Sequence, residues 1–223
     1  MRPRRIAMDW SDLASSYNWQ VPLERAALRS AVALARPRRE DPWLDIATGT
    51  GALLRPLSAH PERPRRVMGV DLSAAMLSRA PTLPMGWEVQ QADARALPFA
   101  DATFRVVSGA YLLHVVDAAA RRQILDECAR VLDTGGRLIA ITPAWPRARL
   151  ARQLYAPLAT MAGSGDGPAA ALRPLDPRPD LQQAGFTISA TRYVSRGYPS
   201  LCVLATRQPG SLVDTQRLAV NRS

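Results

Sequence analysis

Apolar and polar positions alternate along the chain in two rhythms, and the change between them predicts the secondary structure. Residues 23–36 carry apolar side chains at helical spacing and stop at Pro37, which predicts a first helix. Short apolar runs typical of buried strands follow at 43–46, 67–70, 87–90, 104–110 and 137–142. Helical patterns separate them at 52–59, from Ser73 through 80, and at 117–132. This order predicts an α/β domain with a mostly parallel sheet.

The pattern changes after Pro143. Residues 145–162 have helical spacing, 163–180 are rich in Gly, Pro and Asp, and a short helix at 180–184 ends at Gly185. Two alternating runs, 186–194 and 199–206, predict an antiparallel strand pair. We therefore predict one domain over residues 1–223 with a Rossmann-like, doubly wound, seven-stranded sheet. A core at 40–142 would bind the cofactor, a cap at 144–180 would cover the substrate, and a strand pair at 186–206 would close the sheet.

Composition narrows the class of protein. The 223 residues are 47% apolar and 22% charged, which is ordinary for a globular domain. No apolar run approaches the roughly 18 residues of a membrane span, and polar residues follow the basic N-terminus where a secretion signal needs an apolar stretch. Cys128 and Cys202 form no CxxC motif. We expect a soluble, cytoplasmic protein with buried free thiols and no metal site.

The net charge is +10, and all 29 basic residues are arginine. A coding bias towards arginine explains this charge, and so does an anionic partner such as a nucleic acid or a membrane surface. The arginines are scattered and are not interleaved with aromatic residues, so we expect no nucleic-acid binding. The net positive charge is the only feature that supports contact with a membrane surface. The sequence does not indicate the oligomeric state.

A glycine-rich segment carries the strongest chemical signal. The run Asp45-Ile-Ala-Thr-Gly49-Thr-Gly51 directly follows the first strand and precedes a helix, and glycines there allow a tight turn and a close approach to a ligand. Asp71 ends the second strand, 20 residues beyond Gly51, where a carboxylate can accept hydrogen bonds from a ribose. A dinucleotide site would have a small residue at the third fingerprint position, but Leu54 stands there. The pattern predicts an adenosine-containing cofactor without a pyrophosphate.

These residues resemble the first motif of class I S-adenosylmethionine-dependent methyltransferases. The resemblance continues in order through Val70-Asp71-Leu72-Ser73, Gln91 to Phe99, Phe104 to Val115 and Arg130 to Leu138. It covers about residues 8 to 206, and Asp133-Thr134 departs from the usual Lys or Arg followed by Pro. Within this family, the chain most resembles the subgroup of small single-domain enzymes that includes the ubiquinone and menaquinone biosynthesis methyltransferases.

The resemblance implies S-adenosyl-L-methionine as cofactor and a role for each matching position. Gly49 and Gly51 would lie against its sugar and methionine portions, Asp71 would bind the ribose hydroxyls and Leu72 would pack on the adenine. The remaining candidates for cofactor contact are Tyr17, Asp45, Ala47, Thr48, Asp93, Ala94 and Tyr111. Among these, Asp93 with the Ala94 N–H would bind the adenine, Tyr111 would border methionine and acceptor, and Tyr17, in an N-terminal lid at 8–24, would close over the cofactor.

Each assignment has a plainer interpretation. Asp45 can anchor the turn, Asp71 can cap the next helix, and Asp93 can be an ordinary loop residue. Tyr17 and Tyr111 can be core aromatics.

Two residues are candidates for catalysis, His114 and Tyr111, both at the rim after the fourth strand. A histidine suits removal of a proton near neutral pH, or it can simply line the pocket. Methyl transfer from a sulfonium does not always need a base, because positioning alone can supply much of the rate.

The function expected from these observations is methyl transfer to an O, N or C nucleophile of a small, lipophilic or aromatic molecule. Six apolar residues of the cap could form a lid over that molecule or ordinary core, namely Trp145, Leu150, Leu154, Tyr155, Leu158 and Met161. A non-catalytic S-adenosylmethionine-binding module and an NAD(P)-dependent oxidoreductase stay open as alternatives.

Overall fold

The computed structural model describes residues 21–163 and 173–208, and within them it contains six helices and seven strands. In chain order these are α1 (Val21–Ala35), β1 (Trp43–Ile46), α2 (Leu54–Ser58), β2 (Val67–Asp71), α3 (Ala74–Leu77), β3 (Trp87–Gln91), β4 (Phe104–Ala110), α4 (Ala118–Val131), β5 (Leu132–Pro143), α5 (Arg149–Gly163), α6 (Arg178–Gln183), β6 (Phe186–Val194) and β7 (Ser200–Arg207).

The strands form one sheet in the order β3-β2-β1-β4-β5-β7-β6. The first five of these are parallel neighbours, and β7 runs antiparallel to both β5 and β6. This confirms the seven-stranded, doubly wound sheet with its C-terminal antiparallel pair. The strand order reverses between β1 and β4, and open α/β sheets bind ligands beside the carboxyl ends of the strands at such a switch point.

Both faces of the sheet are buried, and β1 shows how a short strand serves both. All four of its residues are buried. Trp43 belongs to a core cluster with Leu28 of α1, whereas Leu44 belongs to a second cluster with Leu125 of α4. Since successive side chains of a strand point to opposite faces, a strand covered on both sides is mostly apolar, and its one polar residue, Asp45, has hydrogen-bond partners in Thr48 and Ser108.

Helix α1 runs antiparallel to the parallel strands, and two hydrogen bonds fix its direction. Near the amino ends of the strands, Arg137 donates to the carbonyl oxygen of Ala35 at 2.6 Å. At the other end, the N–H of Tyr198 donates to the carbonyl oxygen of Leu23 at 3.0 Å. The first turn of α1 therefore lies at the carboxyl edge of the sheet.

The structure corrects three details of the expected elements. The helix capped by Ser73 ends at Leu77 and not at residue 80, although the cap itself is present, with the Ser73 hydroxyl accepting from the N–H of Met76 at 3.3 Å. Strand β5 begins at Leu132, because Gly135 and Gly136 lie in a register shift against β4 and do not separate a helix from a strand. The short helix α6 begins at Arg178, two residues earlier than expected.

Helix α5 does not bury all of its apolar side chains. Leu150 and Leu154 are 70% and 71% exposed, so of the two interpretations, lid or ordinary core, the second does not hold for these two. Their neighbour Tyr155 is half-buried and turns towards the sheet. Within the two described stretches, no helix is long and apolar enough to cross a bilayer.

Candidate functional site

The chain turns sharply after β1, and its backbone conformations show why glycine is needed there. Gly49 and Gly51 have φ angles of +56° and +74°, in the left-handed region that glycine adopts without steric cost. Ala47 also has a positive φ, of +50°. Hydrogen bonds hold the turn, since Thr48 N–H donates to the carbonyl oxygen of Val70 and Gly51 N–H donates to that of Thr48, both at 2.9 Å. The turn is also tightly packed, since a Cβ atom at Gly51 would lie 2.7 Å from Cδ of Pro81.

Asp45 lies beneath this turn in a buried hydrogen-bond network. The Thr48 hydroxyl donates to its Oδ2 at 2.7 Å and the Ser108 hydroxyl donates to its Oδ1 at 2.6 Å. The indole N–H of Trp43 donates to the Ser108 hydroxyl oxygen at 2.8 Å. Burial raises the pKa of Asp45 to about 6, against the opposing effect of the two hydroxyl donors. Asp45 therefore anchors the turn, as its plainer interpretation holds, while its contact with a ligand stays a prediction.

Asp71 joins the end of β2 to the glycine turn. Its Oδ2 accepts from the N–H of Gly49 at 2.8 Å, and its Oδ1 accepts from the N–H of Ser73 at 2.9 Å. Burial raises the pKa of this carboxyl, and the backbone donors at Ser73 and Gly49 oppose the rise. A carboxylate offers about four acceptor positions, and the backbone donors that act on Asp71 are those of Ser73, Gly49 and Leu72, so at least one position remains. The spacing seen in the sequence thus places a carboxylate with spare acceptor capacity beside the switch point.

The neighbouring Leu72 is 59% exposed. An apolar side chain beside a carboxylate suits a nucleoside, because the base needs an apolar surface and the ribose needs acceptors. The Asp71 carboxylate, the Leu72 side chain and the glycine turn therefore fit the nucleoside portion of S-adenosylmethionine.

Asp93 follows β3, where an adenine contact was expected. Both of its carboxylate oxygens accept from the guanidinium of Arg95, the shorter bond being 2.6 Å. Sequence reasoning missed Arg95. Contacts of Asp93 and Ala94 with adenine stay predictions, and Tyr17 lies outside the described residues.

Tyr111 and His114 lie together after β4. Tyr111 adopts a positive φ of +55°, and its hydroxyl shares a hydrogen bond of 2.8 Å with the hydroxyl of Ser200. The ring of His114 meets that of Tyr111 edge-on with 6.2 Å between centroids, and both residues are buried. On another side, the Tyr198 ring lies 6.1 Å from the Tyr111 ring. Tyr111 thus packs as a core aromatic at the rim, and the catalytic roles of Tyr111 and His114 stay predictions.

Glu24 is a buried acid at the same edge that the sequence reasoning overlooked. It lies in the first turn of α1 and is 4% exposed. The signal was its spacing, because Glu24 is three and four residues before Ala27 and Leu28, which are both buried. Burial raises its pKa to about 7. The described residues contain no group of three or more His, Cys, Asp or Glu side chains able to hold a metal ion.

The buried state of Glu24 predicts a particular dependence of stability on pH. Its pKa is about 7 in the folded protein and 4.5 ordinarily, so the folded state binds the proton more tightly. This contribution favours folding below about pH 4.5 and is lost as the pH rises to about 7. We expect the free energy of unfolding of Glu24→Gln to exceed that of the parent by on the order of 3 kcal/mol at pH 8, and to match it near pH 4.

Urea unfolding of both proteins at several pH values measures this difference. Glu40→Gln is the matched control, since Glu40 is an exposed partner of Arg65. A Glu24→Gln variant no more stable at pH 8 than the parent would contradict the expectation.

Comparison with known proteins agrees with the site. Residues 44–136 match a family described as a methyltransferase domain. The ubiquinone/menaquinone biosynthesis C-methyltransferase UbiE of Geobacter sulfurreducens is 31% identical over 163 residues, covering 68% of this chain and 62% of that relative. The chain therefore spans less than two thirds of this curated relative's length.

Solved structures share the fold at low sequence identity. A methyltransferase solved in complex with the Haloferax volcanii Trm112 methyltransferase activator has a TM-score of 0.70 at 17% identity, covering 90% of this chain and 95% of its own. The [4+2]-cyclase SpnF has a TM-score of 0.63 at 18% identity, covering 83% of this chain and 82% of its own. At these identities the likeness concerns the fold alone.

The sheet order and the glycine turn held by Asp71 agree with the family match, which assigns residues 44–136 to a methyltransferase domain. Within that class the chain resembles the ubiquinone/menaquinone biosynthesis C-methyltransferases.

Proposed function

We propose that this protein transfers the methyl group of S-adenosylmethionine to an O, N or C nucleophile of a small aromatic or lipophilic molecule. The observation that carries the proposal is the clasp of Asp71 on Gly49 and Ser73 beside the exposed Leu72. The likeness to UbiE supports an aromatic acceptor related to quinones.

Each residue near the Asp71 carboxylate would contact a different part of the cofactor. Asp71 would accept the two ribose hydroxyls, Leu72 would cover one face of the adenine, and the peptide groups around Gly49 would face the sugar and methionine portions. When bound, the cofactor supplies a methyl group already activated by its sulfonium. The protein then has to align acceptor and methyl carbon and keep water away, which can account for much of the rate.

Two alternatives are weaker. An oxidoreductase needs a pyrophosphate cradle, but the third fingerprint position holds Leu54, which is buried in the core. A non-methylating protein on this fold is conceivable, because a neighbour with the same fold is named a cyclase. The same fold is also found in a methyltransferase solved with an activator protein, so a protein partner is a further proposal.

Calorimetric titration tests the proposed cofactor directly. We expect the parent protein to bind S-adenosylmethionine and S-adenosylhomocysteine but not NADH. Leu72→Ser should weaken both interactions about tenfold, because a largely exposed leucine that becomes covered contributes roughly 1.5 kcal/mol. Met85→Ser is the matched control, since Met85 is 98% exposed and away from the clasp. Failure of the parent to bind either ligand would refute the proposal. Binding without turnover of any phenol, hydroquinone, amine or thiol would favour the non-catalytic alternative.

A further inference from the structure

Glu24 is a buried acid whose position is not explained by a contribution to the stability of the fold. The first turn of α1 is held at the carboxyl edge of the sheet by the bond from Tyr198 N–H to Leu23. This is the edge at which β4 ends and β7 begins, and it adjoins the switch point that carries the Asp71 clasp. The carboxyl of Glu24 is therefore buried on the acceptor side of the proposed cofactor site.

Its neighbours are phenolic and not cationic. The hydroxyls of Tyr155 and Tyr198 are 3.2 Å apart, and the Tyr198 ring lies 6.1 Å from that of Tyr111. The pKa of the Tyr198 phenol is raised by burial first, by its bond with Tyr155 next, and also by the negative charge of Glu24. The geometric link between the two residues is the backbone, because Tyr198 N–H bonds at 3.0 Å to the carbonyl oxygen of Leu23, the residue before Glu24.

The carboxyl has capacity for a further partner. Within the described part of the chain, no donor lies within hydrogen-bonding distance of Glu24 Oε2, although this atom is shielded from solvent. A buried carboxylate oxygen without a donor is costly, and a ligand hydroxyl would supply the missing bond. Tyr155 and Tyr198 are only half-buried, so part of their own surface at this rim is accessible to a small ligand.

We propose that Glu24, with the hydroxyls of Tyr155 and Tyr198, forms the acceptor subsite and takes the proton of a phenolic or enolic hydroxyl on the acceptor. This inference rests on the proposed function and narrows its acceptor to molecules that carry such a hydroxyl. The aromatic rings of Tyr111 and Tyr198 provide the apolar walls against which a ring of that acceptor can pack.

The proton transfer balances with methyl transfer. The O–H bond of the acceptor breaks, and its proton forms a new bond to Glu24 Oε2. The electron pair left on the acceptor, at oxygen or at a conjugated carbon, forms the bond to the methyl carbon, and the pair of the broken C–S bond goes to sulfur. For attack by carbon, the displaced ring proton goes to water, and Glu24 later releases its own proton to water.

The geometry favours Glu24 over His114 for this role. His114 packs against the ring of Tyr111 in the core, 6.2 Å between centroids, whereas the turn that carries Glu24 is bonded to the backbone of the half-buried Tyr198 at the rim. The other titratable groups near Glu24 are the phenols of Tyr111, Tyr155 and Tyr198 and the imidazole of His114, which lies beyond Tyr111. The Cys202 thiol also faces α1, where it donates a hydrogen bond to the carbonyl oxygen of Ala27.

A binding cycle with two probes tests the subsite without requiring turnover. We would titrate phenol, which keeps its proton at pH 8, and anisole, which lacks the hydroxyl proton, into protein saturated with S-adenosylhomocysteine at that pH. We expect the parent to bind the phenol about 10- to 100-fold more tightly than the ether, as a hydrogen bond to a charged group predicts. Glu24→Gln should abolish this preference, and His114→Asn and the distant Glu40→Gln should retain it.

The outcomes separate the two proposals. Unchanged S-adenosylhomocysteine affinity in Glu24→Gln shows that the variant is folded, and Tyr198→Phe, which should reduce the preference severalfold, provides a second test. A preference that survives in Glu24→Gln, or a parent that binds neither probe, would overturn the subsite while leaving the cofactor site intact. A parent that binds no S-adenosylhomocysteine refutes the proposed function instead.

Discussion

Replacing Asp71 with alanine is expected to weaken S-adenosylmethionine binding by at least about 100-fold. The variant would lose the acceptors for both ribose hydroxyls, and each hydrogen bond to a charged group contributes roughly 1.5 to 3 kcal/mol. It would also release the N–H groups of Gly49 and Ser73, which Asp71 now holds at 2.8 and 2.9 Å. The dissociation constant from calorimetry measures the effect.

Asp126→Ala is the matched control for this variant. Asp126 is an exposed aspartate on α4 whose carboxylate pairs with Arg122, and its removal should leave cofactor affinity unchanged. Asp71→Asn keeps one acceptor oxygen and should lie between the parent and the alanine variant. An Asp71→Ala protein that is folded, as judged by circular dichroism, and binds S-adenosylmethionine with parental affinity would remove the ribose role from Asp71.

Replacing Ser108 with alanine is expected to lower the free energy of unfolding by about 3 to 5 kcal/mol, the largest effect on stability that we predict. The Ser108 hydroxyl joins two buried groups, accepting from the Trp43 indole at 2.8 Å and donating to Asp45 at 2.6 Å. Its loss leaves both unsatisfied at a cost of roughly 1 to 3 kcal/mol each, with more for a charged partner. Urea unfolding at pH 7 measures the change.

Ser58→Ala supplies the comparison for Ser108→Ala. The Ser58 hydroxyl donates to a backbone carbonyl at the exposed end of α2, and its loss should change stability by less than about 1 kcal/mol. A loss of less than 1 kcal/mol in Ser108→Ala would show that Trp43 and Asp45 find other partners. In that case Asp45 would not depend on Ser108 for its position beneath the glycine turn.

The elements were readable from the sequence where local pattern determines local structure. The run 43–46 was recognisable as a strand because three of its four residues are apolar, as burial on both faces favours. Ser73 was recognisable as a cap because its hydroxyl satisfies a nearby N–H. The glycine turn and Asp71 were recognisable as one site because the carboxyl ends of adjacent parallel strands meet at one edge. Element ends were less certain, as the early end of α3 and the early start of β5 show.

The sequence by itself therefore determined the class of fold, the order of its elements and the pairing of Asp71 with the glycine turn, because each depends on periodicity or short spacing. Only the tertiary structure decided what surrounds them. Ser108 is 63 residues from the Asp45 that it supports, and Tyr155 is 43 residues from the Tyr198 that it contacts. Packing also decided that Leu150 and Leu154 face solvent while the acid Glu24 is buried. Such pairings depend on which elements meet across the sheet, and no pattern within one element specifies its partner.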